Sequence, residues 1–276
     1  MIHWMRDESL EETVSRLART GYDGIELNGE PDKYDAGEVS ECLQRHGIQA
    51  WGAVSLMEHE GRDMLHPDPY MRLGTEAYLR DTIELIAAIG GQVLCLVPST
   101  IGKTQPRADI DSEWGWCVDS LRRLGDYAGE RGVRIALEPL TRFETYFLNR
   151  GEQALALADE VALDSVGVCL DAYHMNMEEA DPLAAIRAAG DRLFDFHVAD
   201  SNRLPAGGGA LDWTEILAVL AEVGYDGYLT VEVEPPRDYT PLRSVPVQDG
   251  QFEAGYYDQI VGQTVKHLKE SVPTGS

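Results

Sequence analysis

Four residues at the ends of four consecutive apolar runs carry most of the chemistry available to this sequence: Glu138, Asp171, His197 and Glu232. In each run apolar positions alternate with small or polar ones, the period of a strand with two unlike faces. Ile135 and Leu137 share one parity, and Ala136 and Glu138 the other. Val166, Val168 and Leu170 alternate with Gly167, Cys169 and Asp171. Phe194, Phe196 and Val198 alternate with Asp195 and His197, and Leu229, Val231 and Val233 with Thr230 and Glu232. The apolar parity, Phe194 included, is expected to face covering helices, and the other to face a shared interior. Taken alone, Asp171 followed by His174 reads equally well as a turn cap and a surface imidazole. Four strand ends of one pattern argue otherwise. Three carboxylates gathered away from water repel one another and are poorly solvated unless a cation compensates. Oxygen-rich ligation with one imidazole suits Mn²⁺, Mg²⁺ or Co²⁺ better than a thiophilic ion, with Zn²⁺ as a further option.

Helix and strand signals alternate around these ends. Ser9, with Glu11 and Glu12 behind it, starts an amphipathic helix that Gly21 closes. Strands are predicted at residues 24–27, 48–54, 93–97, 133–138, 166–170, 193–198 and 228–233. Helices are predicted at 35–46, 69–89, 113–130, 152–159, 182–189, 213–223 and 257–270. Such alternation means a parallel sheet covered by helices. The chain has 276 residues and no repeat or linker, which suits one domain over 1–276, an α/β fold of the (β/α)₈ TIM-barrel type. Only residues 1–4 are available for the first strand, which is therefore short or truncated, and the C-terminal helix is an addition. A doubly wound sheet competes, but Gly207-Gly208-Gly209 lacks the spacing of a dinucleotide loop.

Composition narrows the partners. Lys+Arg 23 against Asp+Glu 48 gives a net charge of −25, which repels phosphate backbones and argues against nucleic acid and anionic membranes. Cys42, Cys95, Cys117 and Cys169 stand singly, and a reducing, cytoplasmic setting fits them. The first residues, MIHWMRDESLEE, lack the basic and apolar regions of a signal peptide. The longest apolar stretch, around residues 85–97, is interrupted by Gly90-Gly91-Gln92 and is too short to span a bilayer.

Four segments carry a family likeness: LEPLTRFET at 137–145, LDAYHMN at 170–176, FHVADSNRLPAGGG at 196–209 and YDGYLTVE at 225–232. With them the chain resembles the sugar isomerase/epimerase superfamily of xylose-isomerase-like barrels, especially ketose 3-epimerases of the D-tagatose and D-allulose type. The resemblance implies one divalent metal ion, commonly Mn²⁺, on Glu138, Asp171, His197 and Glu232. It also implies substrate contacts from Glu144, His174 and Arg203. The partner would be a small sugar or polyol, with homo-oligomerisation left open. Glu138 and Glu232, separated by two intervening strands, would act as ligands and as proton carriers on opposite faces of C3. Arg203 would hold O2 as charge develops there. The same enediolate chemistry also serves dehydration or isomerisation of an inosose or another keto-sugar, so a lyase is the alternative. A non-catalytic sugar-binding barrel is least favoured, because the ligand set is intact. Thr141 stands where these epimerases commonly have Asn, Glu234 shares the parity of Glu232, and residues 238–254 match nothing in the pattern.

Overall fold

The computed structural model describes residues 8–233 and 254–272. Seven strands pair in chain order, every neighbouring pair parallel: β1 (Gly24–Gly29), β2 (Gln49–Ser55), β3 (Val93–Leu96), β4 (Arg134–Leu137), β5 (Val166–Asp171), β6 (Leu193–Val198) and β7 (Leu229–Val231). Between and around them run α1 (Leu10–Thr20), α2 (Ala36–His46), α3 (Pro69–Ala88), α4 (Ile110–Gly129), α5 (Gly151–Val161), α6 (Ala172–Glu178), α7 (Pro182–Ala189), α8 (Trp213–Glu222) and α9 (Ala254–Ser271). The strand anticipated at residues 1–4 lies outside the described residues, as do Glu234 and nearly all of the unmatched segment 238–254. No helix among the described residues is long and apolar enough to cross a membrane.

Part of the acidic surplus sits at helix starts, where free backbone N–H groups need acceptors. Asp35, Asp68, Asp109, Asp181 and Asp212 each accept from a backbone N–H in the first turn of α2, α3, α4, α7 and α8. The Asp109 cap explains why α4 begins at Ile110 rather than at Glu113. The Glu113 carboxylate instead accepts from Arg107 N and Ala108 N, at 2.6 and 2.9 Å. Ser9 and Glu12 form the reciprocal cap expected for α1, and Gly21 ends that helix with φ 84°.

The sheet curls into a barrel. Trp51 of β2 donates from Nε1 to Asp195 Oδ1 of β6 at 3.0 Å, and Glu26 Oε2 of β1 lies 3.3 Å from His197 Nε2 of β6. Helix α9 packs against α1 and α8, tied by Arg16 Nε to Asp258 Oδ1 at 2.6 Å and Tyr22 OH to Val261 O at 3.0 Å. It is thus part of the helix ring. Two apolar layers result. Ile135, Leu137, Val166, Val168, Leu170, Phe196, Val198, Val231 and Val233 join the core between sheet and helices, while Ala136 and Cys169 line the interior. That division follows strand parity.

Phe194 breaks the parity. Expected to face the helices, it joins the interior cluster with Trp51, Cys95, Ala136 and Cys169. The cause is a bulge between β5 and β6: Val168 pairs with Leu193 and Cys169 with Asp195, which leaves Phe194 unpaired and turns its ring inward. Gly167 makes room for it, since a Cβ there would stand 2.6 Å from the Phe194 ring.

Candidate active site

The sheet ladder continues into the acids that follow it. Glu138 N donates to Leu96 O and Glu232 N to Val198 O, both at 3.0 Å, so each glutamate is held in register one residue past its strand. Asp171 closes β5 and His197 is the penultimate residue of β6. All four are buried, and one ligand atom from each lies within 4.8 Å of the others. His197 Nδ1 is 3.0 Å from Glu232 Oε2 and 3.2 Å from Glu138 Oε1. Glu138 Oε1 has no hydrogen-bond partner, whereas its Oε2 accepts from Cys95 Sγ at 3.3 Å.

Asp171 caps a turn, as the plainer reading of its position expects, and its second oxygen meets a cationic side chain. Oδ1 caps α6 by accepting from Tyr173 N at 2.7 Å, and Oδ2 pairs with Arg203 Nη1. Burial pushes the Asp171 carboxyl up, and the Arg203 guanidinium only partly offsets it. Arg203 Nη2 also reaches Glu232 Oε1 at 2.7 Å. A hard divalent cation fits this set: three carboxylates and one imidazole converge, and a buried carboxylate oxygen lacks a partner. Cys95 and Cys169 form another close donor group with Glu138 and His197. Burial raises both thiols, Cys95 well above its ordinary value.

The residues expected to meet a substrate lie beside this set. His174 is buried on α6 and its Nδ1 accepts from Thr141 N at 3.2 Å. Burial first, opposed by Asp171 and reinforced by Arg203, takes its pKa down to about 3. The ring is therefore neutral, and Nε2–H, 3.9 Å from Asp171 Oδ2, is its available donor. Thr141 Oγ1 donates to Glu144 Oε1 at 3.2 Å, and burial raises the Glu144 carboxyl. Thr141 thus orients His174 and Glu144 together. The His174 contact comes from the backbone, so only the Glu144 contact depends on the threonine side chain.

Arg203 has φ 62°, a left-handed backbone uncommon outside glycine. Asp200, which sequence reasoning passed over, holds it there. This buried carboxylate accepts Ser201 N at 2.7 Å and Leu211 N at 3.2 Å on Oδ1, and Gly207 N at 2.8 Å and Trp213 Nε1 at 3.0 Å on Oδ2. Its carbonyl accepts from Arg203 N at 2.8 Å. A Cβ on Gly209 would stand 2.1 Å from Asp200 Oδ1, so the glycine run lets the loop close on this acid. Glu26 was likewise missed. It shares the parity of Gly24 and Asn28 in β1 and could have been found by following that strand as the others were followed.

A parallel barrel with acids and a histidine gathered at the carboxyl ends of its strands is an architecture that could hold a metal ion at its mouth. The chain belongs to the xylose isomerase-like TIM barrel family, whose family model matches residues 14–248. It is similar to an L-ribulose 3-epimerase of Methylomonas sp. (strain DH-1), at 33% identity over 221 residues, covering 79% of this chain and 76% of that protein. A D-psicose 3-epimerase of Ruminiclostridium cellulolyticum is 30% identical over 228 residues, with coverage of 79% and 76%. The crystal structure of D-allulose 3-epimerase from Methylomonas sp. in complex with D-allulose matches with a TM-score of 0.84 at 30% identity, covering 95% of this chain and 90% of that one.

Proposed function

We propose that this chain is a divalent-metal-dependent epimerase that inverts C3 of a ketose, an isomerase acting on a small sugar. The observation that carries the reading is the convergence of Glu138, Asp171, His197 and Glu232 within 4.8 Å at one end of the barrel. Glu138, Asp171, His197 and Glu232 would hold the ion, Mn²⁺ in first place and Mg²⁺, Co²⁺ or Zn²⁺ as alternatives. When bound, the ion supplies Lewis-acid polarisation of the substrate carbonyl.

The protein's own groups do the rest. The C3 hydrogen of a ketose is acidified by the neighbouring C2 carbonyl. Glu138 and Glu232 come from strands separated by β5 and β6, so one removes the C3 proton and the other delivers a proton to the opposite face. Arg203 offsets the negative charge that gathers on O2. The neutral His174 donates from Nε2–H to a sugar hydroxyl, and Glu144 accepts from another.

Activity toward a panel of D-fructose, D-tagatose, D-allulose and L-ribulose should vanish on treatment with a chelator and return with Mn²⁺. Asp171→Asn should act chiefly through metal affinity and be partly restored by excess Mn²⁺. A chelator-treated protein, shown free of metal, that still epimerises at the original rate would overturn the proposal.

A further inference from the structure

His197 stands between two groups of carboxylates. Nδ1 faces Glu138 Oε1 and Glu232 Oε2 at 3.2 and 3.0 Å. Nε2, on the other edge of the ring, faces Glu26 Oε2 and Asp195 Oδ2, each at 3.3 Å. Glu26 and Asp195 are fully buried, and neither the Glu26 oxygens, nor Asp195 Oδ2, nor His197 Nε2 has a hydrogen-bond partner of good geometry. Buried acceptors left without a donor are costly, so these oxygens need what the imidazole edge offers. Asp195 cannot readily turn away. Its Oδ1 accepts from Trp51 Nε1 at 3.0 Å and from Phe196 N at 2.9 Å, and the Trp51 ring packs on Tyr228 with centroids 4.7 Å apart. The β5–β6 bulge sets this arrangement by pairing Asp195 with Cys169.

We infer that Glu26 and Asp195 are positioning residues that share the Nε2 hydrogen of His197 and so fix the ring with Nδ1 presented to the metal. The inference rests on the metal reading above. A ligand imidazole whose other nitrogen donates to a carboxylate has its tautomer and orientation fixed and is a stronger base toward the ion. With acceptors on both edges, a flipped ring loses both sets of contacts at once. Glu26 and Asp195 therefore act on the site without touching substrate.

The test uses ¹⁵N-labelled protein, metal-free and loaded with diamagnetic Mg²⁺. Long-range ¹H–¹⁵N spectra of His197 should show Nε2 carrying a slowly exchanging hydrogen in both states. Nδ1 should lose any hydrogen only when Mg²⁺ is present. The isosteric variants Glu26→Gln and Asp195→Asn preserve side-chain volume, and the amide oxygen of the second still offers an acceptor to Trp51. The double variant should bind Mn²⁺ about 10–100-fold more weakly, by electron paramagnetic resonance titration. At saturating Mn²⁺ its KM for the ketose should match that of the parent. If the double variant fails to fold, the single variants decide on the same titration. An Nε2 without hydrogen in the parent protein, or unchanged Mn²⁺ affinity in the variants, would overturn the inference. A parent protein that binds no Mn²⁺ would instead sink the metal reading, while the Nε2 signal of the metal-free protein would still decide this one.

Discussion

Glu138→Gln is expected to retain the metal and lose about 10²–10⁴-fold in C3 proton exchange, the usual cost of removing a general acid or base. The oxygen that faces His197 Nδ1, Oε1, has no other partner, and Oε2 accepts from Cys95. An amide can place its oxygen toward the metal set and its nitrogen toward the cysteine sulfur, so a neutral oxygen ligand survives while the base does not. Glu232→Gln should differ. Its Oε1 takes Arg203 Nη2 at 2.7 Å and its Oε2 faces His197 Nδ1 at 3.0 Å. The amide oxygen will prefer the arginine, which turns the nitrogen toward the metal. Glu232→Gln should therefore lose metal affinity as well as exchange. The loss of exchange should be one-sided: each metal-loaded variant loses washout of the C3 hydrogen from one epimer and keeps it from the other, without interconverting the two. Washout measured separately from each epimer, with metal content determined in parallel, checks both statements. Two Gln variants that epimerise near the parent rate would refute the two-glutamate arrangement even with the metal site in place.

Arg203→Ala should lower turnover about 10²–10³-fold, the range seen when a donor to a developing oxyanion is removed. The guanidinium pairs with both Asp171 and Glu232, so metal-free protein should lose a compensating charge as well. Loaded protein replaces that charge with the ion, and metal content should stay at one per chain. Arg203→Lys should not restore the rate, because a single ammonium cannot bridge two carboxylates as the planar fork does. Turnover equal to that of the parent in Arg203→Ala would return the residue to the role of a surface loop.

The convergence of three acids and one imidazole could be read from sequence because each ends an alternating strand, and parity survives folding wherever the ladder is regular. Glu138, Asp171, His197 and Glu232 all meet that condition. Phe194 did not, because its inward turn depends on how β5 pairs with β6, a relation between strands that neither strand encodes alone. The α6 helix that carries His174 was also unforeseen. It spans only Ala172–Glu178 and depends on the Asp171 cap, so it reads as a turn. Asp200 escaped notice because its partners come from positions as far apart as Ser201 and Trp213, brought together by loop closure. Asp195 lay on the predicted inward parity, whereas the parity of Glu26 was not read, and both gained meaning only once β1 met β6 across the barrel.

Proton transfer at C3 is tested most directly by deuterium incorporation, with the Mn²⁺-loaded protein in D₂O and an accepted ketose. The expected product is an epimer carrying one deuterium, bound to C3, with no label at C1 or C4. Label at C1, or inversion at C3 with hydrogen retained from the substrate, would contradict the two-glutamate proton transfer.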